Sequence, residues 1–120
     1  MIKKKKIKII KNKKGNIIKF FNFQKDTSKK KYGEIYFSEV KKKYFKGWKF
    51  HEKRNQIMTI CSGSIEVSFK NKNSSRIKKI KLSYPKNLYA LQIPKKTYYS
   101  FRCLSRQKAI IVNIIDEVVK

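Results

Sequence analysis

Lys46-Gly47-Trp48-Lys49-Phe50-His51-Glu52-Lys53-Arg54-Asn55-Gln56-Ile57-Met58-Thr59-Ile60-Cys61-Ser62-Gly63 holds the chain's one tryptophan and its one histidine, and it runs into the turn-like Ser62-Gly63-Ser64. Read as a strand, residues 46–51 send successive side chains to opposite faces. Lys49 and His51 then share one face, and Trp48 and Phe50 share the other. One face carries groups that can do chemistry; the opposite face is apolar.

Outward from this stretch, apolar residues recur in short bursts rich in aromatic and β-branched side chains, with turn signals between them. Strands are predicted over residues 5–10, 17–23, 34–40, 44–51, 56–61, 65–70, 77–83, 89–93, 98–104 and 109–115. Breaks fall at Lys14-Gly15-Asn16, Asp26-Thr27-Ser28, Ser62-Gly63, residues 71–75, Tyr84-Pro85-Lys86-Asn87 and Pro94-Lys95-Lys96. With no helical stretch beyond the chain's last turn, the pattern predicts an all-β sandwich or barrel. Alternation is cleanest in Ile65-Glu66-Val67-Ser68-Phe69-Lys70, where Ile65, Val67 and Phe69 take the buried face and each contributes about 1.5–3 kcal/mol. The Lys29-Lys30-Lys31 run predicts a solvated loop over residues 26–32. At 120 residues the chain forms one domain, 1–120, with a real core and no room for a second.

The formal net charge of +26 points toward nucleic acid, because a basic surface releases counterions from a phosphate backbone. The kind of basic residue argues the other way. Only Arg54, Arg76, Arg102 and Arg106 among the 33 basic residues are arginine, whereas a dedicated phosphate or base reader uses the guanidinium fork. Abundant Lys, Ile, Asn, Phe and Tyr with scarce Ala, Gly and Pro is the pattern of an AT-rich genome. Nucleic acid is therefore a partner the sequence allows and does not favour.

Cys61 and Cys103 lie far apart inside apolar strand-like runs and read as buried thiols of a reducing compartment. Met1-Ile2-Lys3-Lys4-Lys5-Lys6 is charged like the start of a leader, but Lys8, Lys11, Lys13 and Lys14 interrupt any apolar stretch behind it. No run is long and apolar enough to span a bilayer. The expectation is a cytoplasmic protein with no membrane partner. If Lys49 and His51 face the interior, Trp48 and Phe50 form an outer apolar face that needs a cover. Two covers are open: a second copy in a two-fold dimer, or the N-terminal strands of the same chain.

Gly47, then Lys49-x-His51, then Gln56, then Gly63 resembles the first cupin motif, whose pattern is HxH, an acid four or five residues on, and a glycine seven beyond. Lys49 stands at the first histidine and Gln56 at the acid. Ile93-Pro94-Lys95-Lys96-Thr97-Tyr98-Tyr99-Ser100-Phe101 resembles the second motif, Pro-x-Gly-x-x-His, with Lys96 at the glycine and Tyr99 at the histidine. Within the cupins, Gly33-Glu34-Ile35-Tyr36-Phe37-Ser38, Lys46-Gly47-Trp48-Lys49-Phe50-His51 and Ile93-Pro94 are most similar to the dTDP-4-dehydrorhamnose 3,5-epimerase group, with the RmlC-like fold. The nucleotide-sugar 3,4-ketoisomerases are also similar, through Arg-Gly-x-His-x-His-Lys-x-x-x-Gln against residues 46–56. The resemblance spans residues 33–116 and implies a cupin-type double-stranded β-helix, a jelly-roll barrel, acting as a homodimer on a nucleotide sugar.

It also implies roles. Lys46 replaces the arginine that meets the nucleotide diphosphate, and with Gln56 and Trp48 it makes up the substrate-binding set. His51 is the base that removes a proton beside the ketone of a dTDP-4-keto-6-deoxyhexose, Lys49 and Gln56 stabilise the enolate, and Tyr98 or Tyr99, on opposite faces, returns the proton. In the epimerases the base histidine maps to Lys49, the enolate lysine to Gln56, the acid tyrosine to near Val112 or Asn113, and the orienting aspartate past the last residue. Lys49 is also a candidate base, since burial and neighbouring positive charge lower an ammonium pKa from about 10.4. The four metal-ligand positions of a cupin carry Lys49, His51, Gln56 and Tyr99, so neither metal nor other cofactor is expected. The competing reading is a non-catalytic ligand-binding cupin. No nucleophile triad or Gly-rich phosphate loop is present, and the seven carboxylates form no recognisable pair.

Overall fold

The computed structural model describes residues 2–22 and 32–116. Among the described residues eleven strands follow in order: β1 (Lys3–Lys6), β2 (Lys8–Ile10), β3 (Ile17–Lys19), β4 (Tyr32–Val40), β5 (Phe45–Phe50), β6 (Gln56–Ser62), β7 (Ser64–Asn71), β8 (Lys78–Ser83), β9 (Tyr89–Ile93), β10 (Thr97–Cys103) and β11 (Ala109–Asp116). The predicted loop over residues 26–32 and the last turn of the chain lie outside the described residues, except that Tyr32 opens β4 rather than closing a loop.

The strands form two facing antiparallel sheets and a hairpin. One sheet has the order β1-β9-β6-β11-β4, the other β5-β10-β7-β8, and β2-β3 stands apart. Neighbours in space are distant in sequence, as in a jelly roll. The expected strand at residues 5–10 is divided at Ile7, where the chain leaves the large sheet for the hairpin. Ile7 is buried there, and its N–H donates to Leu88 O at 3.3 Å. The hairpin's Ile9, with Phe20 and Phe21 after it, packs against the core.

Between the sheets lie Met58 and Ile60 of β6, Ile65 and Val67 of β7, Leu82 of β8, Leu91 of β9, Phe101 of β10 and Ile111 of β11, all nearly inaccessible to water. Val67 faces Phe101 on β10 and Ile80 on β8, so the alternation in β7 sends Ile65, Val67 and Phe69 inward as predicted. The outward Glu66 is also buried, between Arg102 at 3.3 Å and Lys79 at 3.8 Å. Cys103 is buried, but Cys61 is exposed, contrary to expectation, because β6 turns Met58 and Ile60 inward and the odd positions outward.

Two glycines have positions that a side chain could not share. Gly63 makes the β6–β7 hairpin turn with φ +82°, and a Cβ there would lie 2.7 Å from Ser105 Oγ and 3.0 Å from Ala109 Cα. Gly47 has φ +144°, and a Cβ would collide with Ser100 Cβ and lie 2.8 Å from Ser100 Cα. Around Gly47 the pairing of β5 with β10 slips by one residue: Tyr99 pairs with Lys49, but Phe101 pairs with Lys46. This bulge, with two residues of β5 set against Ser100, reverses the side-chain phase of the strand's first half. Lys46 and Lys49, three apart, thus both stand opposite inward-facing residues.

Candidate active site

The inner surface of the small sheet presents Lys49 and Tyr99 as a cross-strand pair, with His51 just past the end of β5. The backbone holds that end in place, since Lys96 N–H donates to His51 O at 2.7 Å. From the facing sheet β6 contributes Gln56 and β11 contributes Asn113, both buried. A line of hydrogen bonds joins the two sheets. Asn113 Nδ2 donates to Tyr36 O at 3.5 Å and to Ser38 Oγ at 3.1 Å, and Gln56 Nε2 donates to Asn113 Oδ1 at 2.6 Å. Tyr99 O–H donates to Gln56 Oε1 at 2.6 Å, and the Tyr99 oxygen stands 3.3 Å from His51 Nε2.

The direction of this line follows from its far end. A backbone carbonyl only accepts, so the Asn113 amide must turn its nitrogen toward Tyr36 O and its oxygen toward Gln56. Gln56 then offers its oxygen to Tyr99, which spends its one proton there. The remaining bond has to come from His51, with Nε2–H as donor, so a neutral imidazole carries its free lone pair on Nδ1. Among the described residues no buried side-chain nitrogen or oxygen lacks a partner, so this interior network is fully satisfied.

Electrostatics poise the groups differently. Burial lowers the His51 pKa below the ordinary imidazole value; Lys49 and Arg54 push the same way, while the nearby Gln56 amide and the Asp116 carboxylate oppose. Burial also lowers the Lys49 pKa, and Lys46 adds to the shift. The Lys49 ammonium lies 5.4 Å from the Phe101 ring centre, and no carboxylate pairs with it among the described residues. Burial pushes the Tyr99 phenol upward, Tyr36 adds to this, and the bond to Gln56 opposes. Burial raises the Tyr36 phenol as well, with Glu34 contributing.

His51, Lys49, Gln56 and Tyr99 therefore converge between the sheets. Lys46 is exposed, opposite Phe101 and near Lys49. Gln56 lies behind Tyr99 and is 1% exposed, so it reaches the open part of the site only through that phenol. Tyr98 does not join the cluster: it pairs with Phe50 on the outer face, with the ring centres 4.5 Å apart. Trp48 is on that face too, under the Lys70 ammonium at 5.0 Å, and stays 41% exposed. Among the described residues nothing covers it fully. Sequence reasoning missed Asn113, Tyr36 and Ser38. An asparagine inside the apolar run of residues 109–115 was the available signal.

The family model described as FdtA, WxcM-like, C-terminal, matches residues 1–117. The chain belongs to this family. It has the cupin-type RmlC-like fold that the resemblance over residues 33–116 implies. A dTDP sugar isomerase from Desulfovibrio desulfuricans G20 is 25% identical over 99% of this chain and 78% of its own, with a TM-score of 0.88. QdtA, a sugar 3,4-ketoisomerase from Thermoanaerobacterium thermosaccharolyticum solved with TDP, is 17% identical over 99% of this chain and 82% of its own, with a TM-score of 0.77. RmlC from Legionella pneumophila, solved with dTDP-4-keto-L-rhamnose, is 14% identical over 100% of this chain and 74% of its own, at 0.78. The last two speak to fold alone. No curated protein matches by sequence.

Proposed function

We propose that this FdtA-family chain is a nucleotide-sugar isomerase or epimerase that removes a proton beside the ketone of a dTDP-4-keto-6-deoxyhexose. The observation that carries the reading is the hydrogen-bonded line His51–Tyr99–Gln56–Asn113 with Lys49 beside it, inside the barrel. His51 takes the proton on Nδ1, the nitrogen that the line leaves free. Its lowered pKa keeps it unprotonated, and therefore able to accept, at neutral pH. Lys49 stabilises the enolate oxygen from a position facing Phe101, where water screens little. Tyr99 returns a proton, held protonated by its raised pKa and aimed by Gln56. Lys46, exposed near Lys49, meets the diphosphate.

The donor set suits a reaction without a metal, because an ammonium occupies the place of the first imidazole ligand and an amide that of the carboxylate. Among the described residues no cluster of three or more His, Cys, Asp and Glu is present. Ile35 and Phe37 of edge strand β4, with Phe45 and Trp48 of edge strand β5, remain 61%, 68%, 54% and 41% exposed, and the protein acts as a homodimer that covers them. It works in the cytoplasm; no helix among the described residues is long and apolar enough to cross a membrane.

The test is deuterium wash-in from D2O at the carbons beside the ketone of dTDP-4-keto-6-deoxyglucose. Exchange that disappears in His51→Ala is expected. A second reading, a ligand-binding cupin without catalysis, draws on the phenol proton already committed to Gln56 at 2.6 Å. Thermal stabilisation by the nucleotide sugar with no exchange would select it.

A further inference from the structure

We propose that Lys49 acts as a covalent catalyst, condensing with the sugar ketone to an imine so that the proton beside the former carbonyl is lost to an enamine rather than an enolate. The inference rests on the isomerase reading for its substrate class, a keto sugar, and departs from it in how the carbanion is stabilised. Three features of the site point to it. Lys49 shares the inner face with His51 and Tyr99, so a nucleophilic amine, a base and a hydroxyl proton donor converge. Its surroundings favour a neutral amine: it is half-buried, no carboxylate pairs with it among the described residues, and the charge that acts on it is the cationic Lys46. The β5 bulge places Lys46 on the same side, so the like charge is built into the strand register. An amine kept desolvated beside a second cation is poised as a nucleophile toward carbonyls.

The step balances without an oxidant or a reductant. The Nζ lone pair attacks the ketone carbon, and its surplus proton passes to the carbonyl oxygen to give a carbinolamine. That hydroxyl leaves as water, with the proton drawn from the Tyr99 and His51 pair, and the C=N+ bond forms. His51 removes the α-proton and the electron pair moves into the C=C–N enamine. Reprotonation restores the iminium, and water then releases the sugar and the free amine.

Two readouts distinguish this from enolate chemistry. An imine must exchange the ketone oxygen with solvent, and hydride must trap it. The expected results with dTDP-4-keto-6-deoxyglucose are enzyme-accelerated incorporation of 18O from labelled water and, on cyanoborohydride addition, a sugar adduct mapped by mass spectrometry to Lys49 and suppressed by excess dTDP. Both should vanish in Lys49→Met and in Lys49→Arg, the arginine variant still folded and still stabilised by dTDP. Deuterium wash-in with no adduct at Lys49 and no oxygen exchange overturns the imine and leaves the isomerase standing. An adduct at Lys49 without wash-in keeps the imine and removes the isomerase. Wash-in surviving in Lys49→Arg, or labelling spread evenly over surface lysines and indifferent to dTDP, also overturns it.

Discussion

Gln56 Nε2 donates to Asn113 Oδ1 at 2.6 Å across the diagonal between β6 and β11, where Asn113 stands directly opposite Met58 and Gln56 opposite Ile115. Through this contact a backbone carbonyl of β4 decides which nitrogen of His51 carries a proton, four side chains away. Replacing Gln56 by leucine keeps the volume and strands the Tyr99 hydroxyl and the Asn113 carbonyl. The expected cost is about 1–3 kcal/mol for a buried polar group left unpaired, read by urea denaturation, with deuterium wash-in lost as well. A variant as stable as the parent would remove the relay from the account.

His51 should leave a mark on the pH profile. Its folded pKa lies below the unfolded value of about 6.5, so the rate of wash-in stays level as pH falls past that value and drops only when the folded imidazole protonates. The same depression links to stability. Between the two values the unfolded chain binds the extra proton, so the contribution is present above about 6.5 and is lost as pH falls through the folded value. Acid titration of thermal stability should be steeper in the parent than in His51→Gln; equal slopes would contradict the assignment.

Lys49→Met should raise the melting temperature and abolish turnover. At neutral pH the parent must either hold a half-buried ammonium that has no carboxylate partner among the described residues or give up a proton, and both cost stability that a thioether in the same space does not require. Differential scanning fluorimetry checks the direction. A destabilised methionine variant would show that the lysine is structural.

Gly47→Ala should cost at least about 2 kcal/mol, since positive φ in a non-glycine residue is strained and the new methyl meets Ser100. Adding Ser100→Gly is expected to restore only part of the loss, because the Ser100 Cα would remain 2.8 Å away. Full recovery would mean that the side-chain clash alone matters.

Sedimentation should report a dimer, and Phe37→Glu, on a residue 68% exposed in an edge strand, should shift it toward monomer while leaving the monomer's fold intact. A parent chain that sediments as a monomer at high concentration would end the homodimer assignment.

Much of the architecture could be read from the residues because strand alternation is local. Ile65, Val67 and Phe69 carry their burial in their own spacing, and His51 and Lys49 share a face by the same rule. What escaped depends on partners remote in the chain. Tyr98 and Tyr99 differ only in phase, and phase is set by which of them meets Lys49 across the sheet. Asn113 looks like an interruption in an apolar strand until Gln56, 57 positions away, is brought to its amide. The split at Ile7 reflects a change of sheet that no feature of the lysine-rich run announces. The charge of +26 pointed toward polyanions and the scarcity of arginine argued against them; among the described residues the site between the sheets draws on two of the cations, Lys46 and Lys49.

Because the bulge in β5 is what turns Lys46 to the same side as Lys49, strand register rather than composition determines how much positive charge the hollow holds. Pairing the same residues without the bulge would leave every lysine in the chain and still send one of the two amines to the outside of the barrel. Shortening the segment by one residue would instead set the two lysines two apart in a regular strand and keep both amines inside.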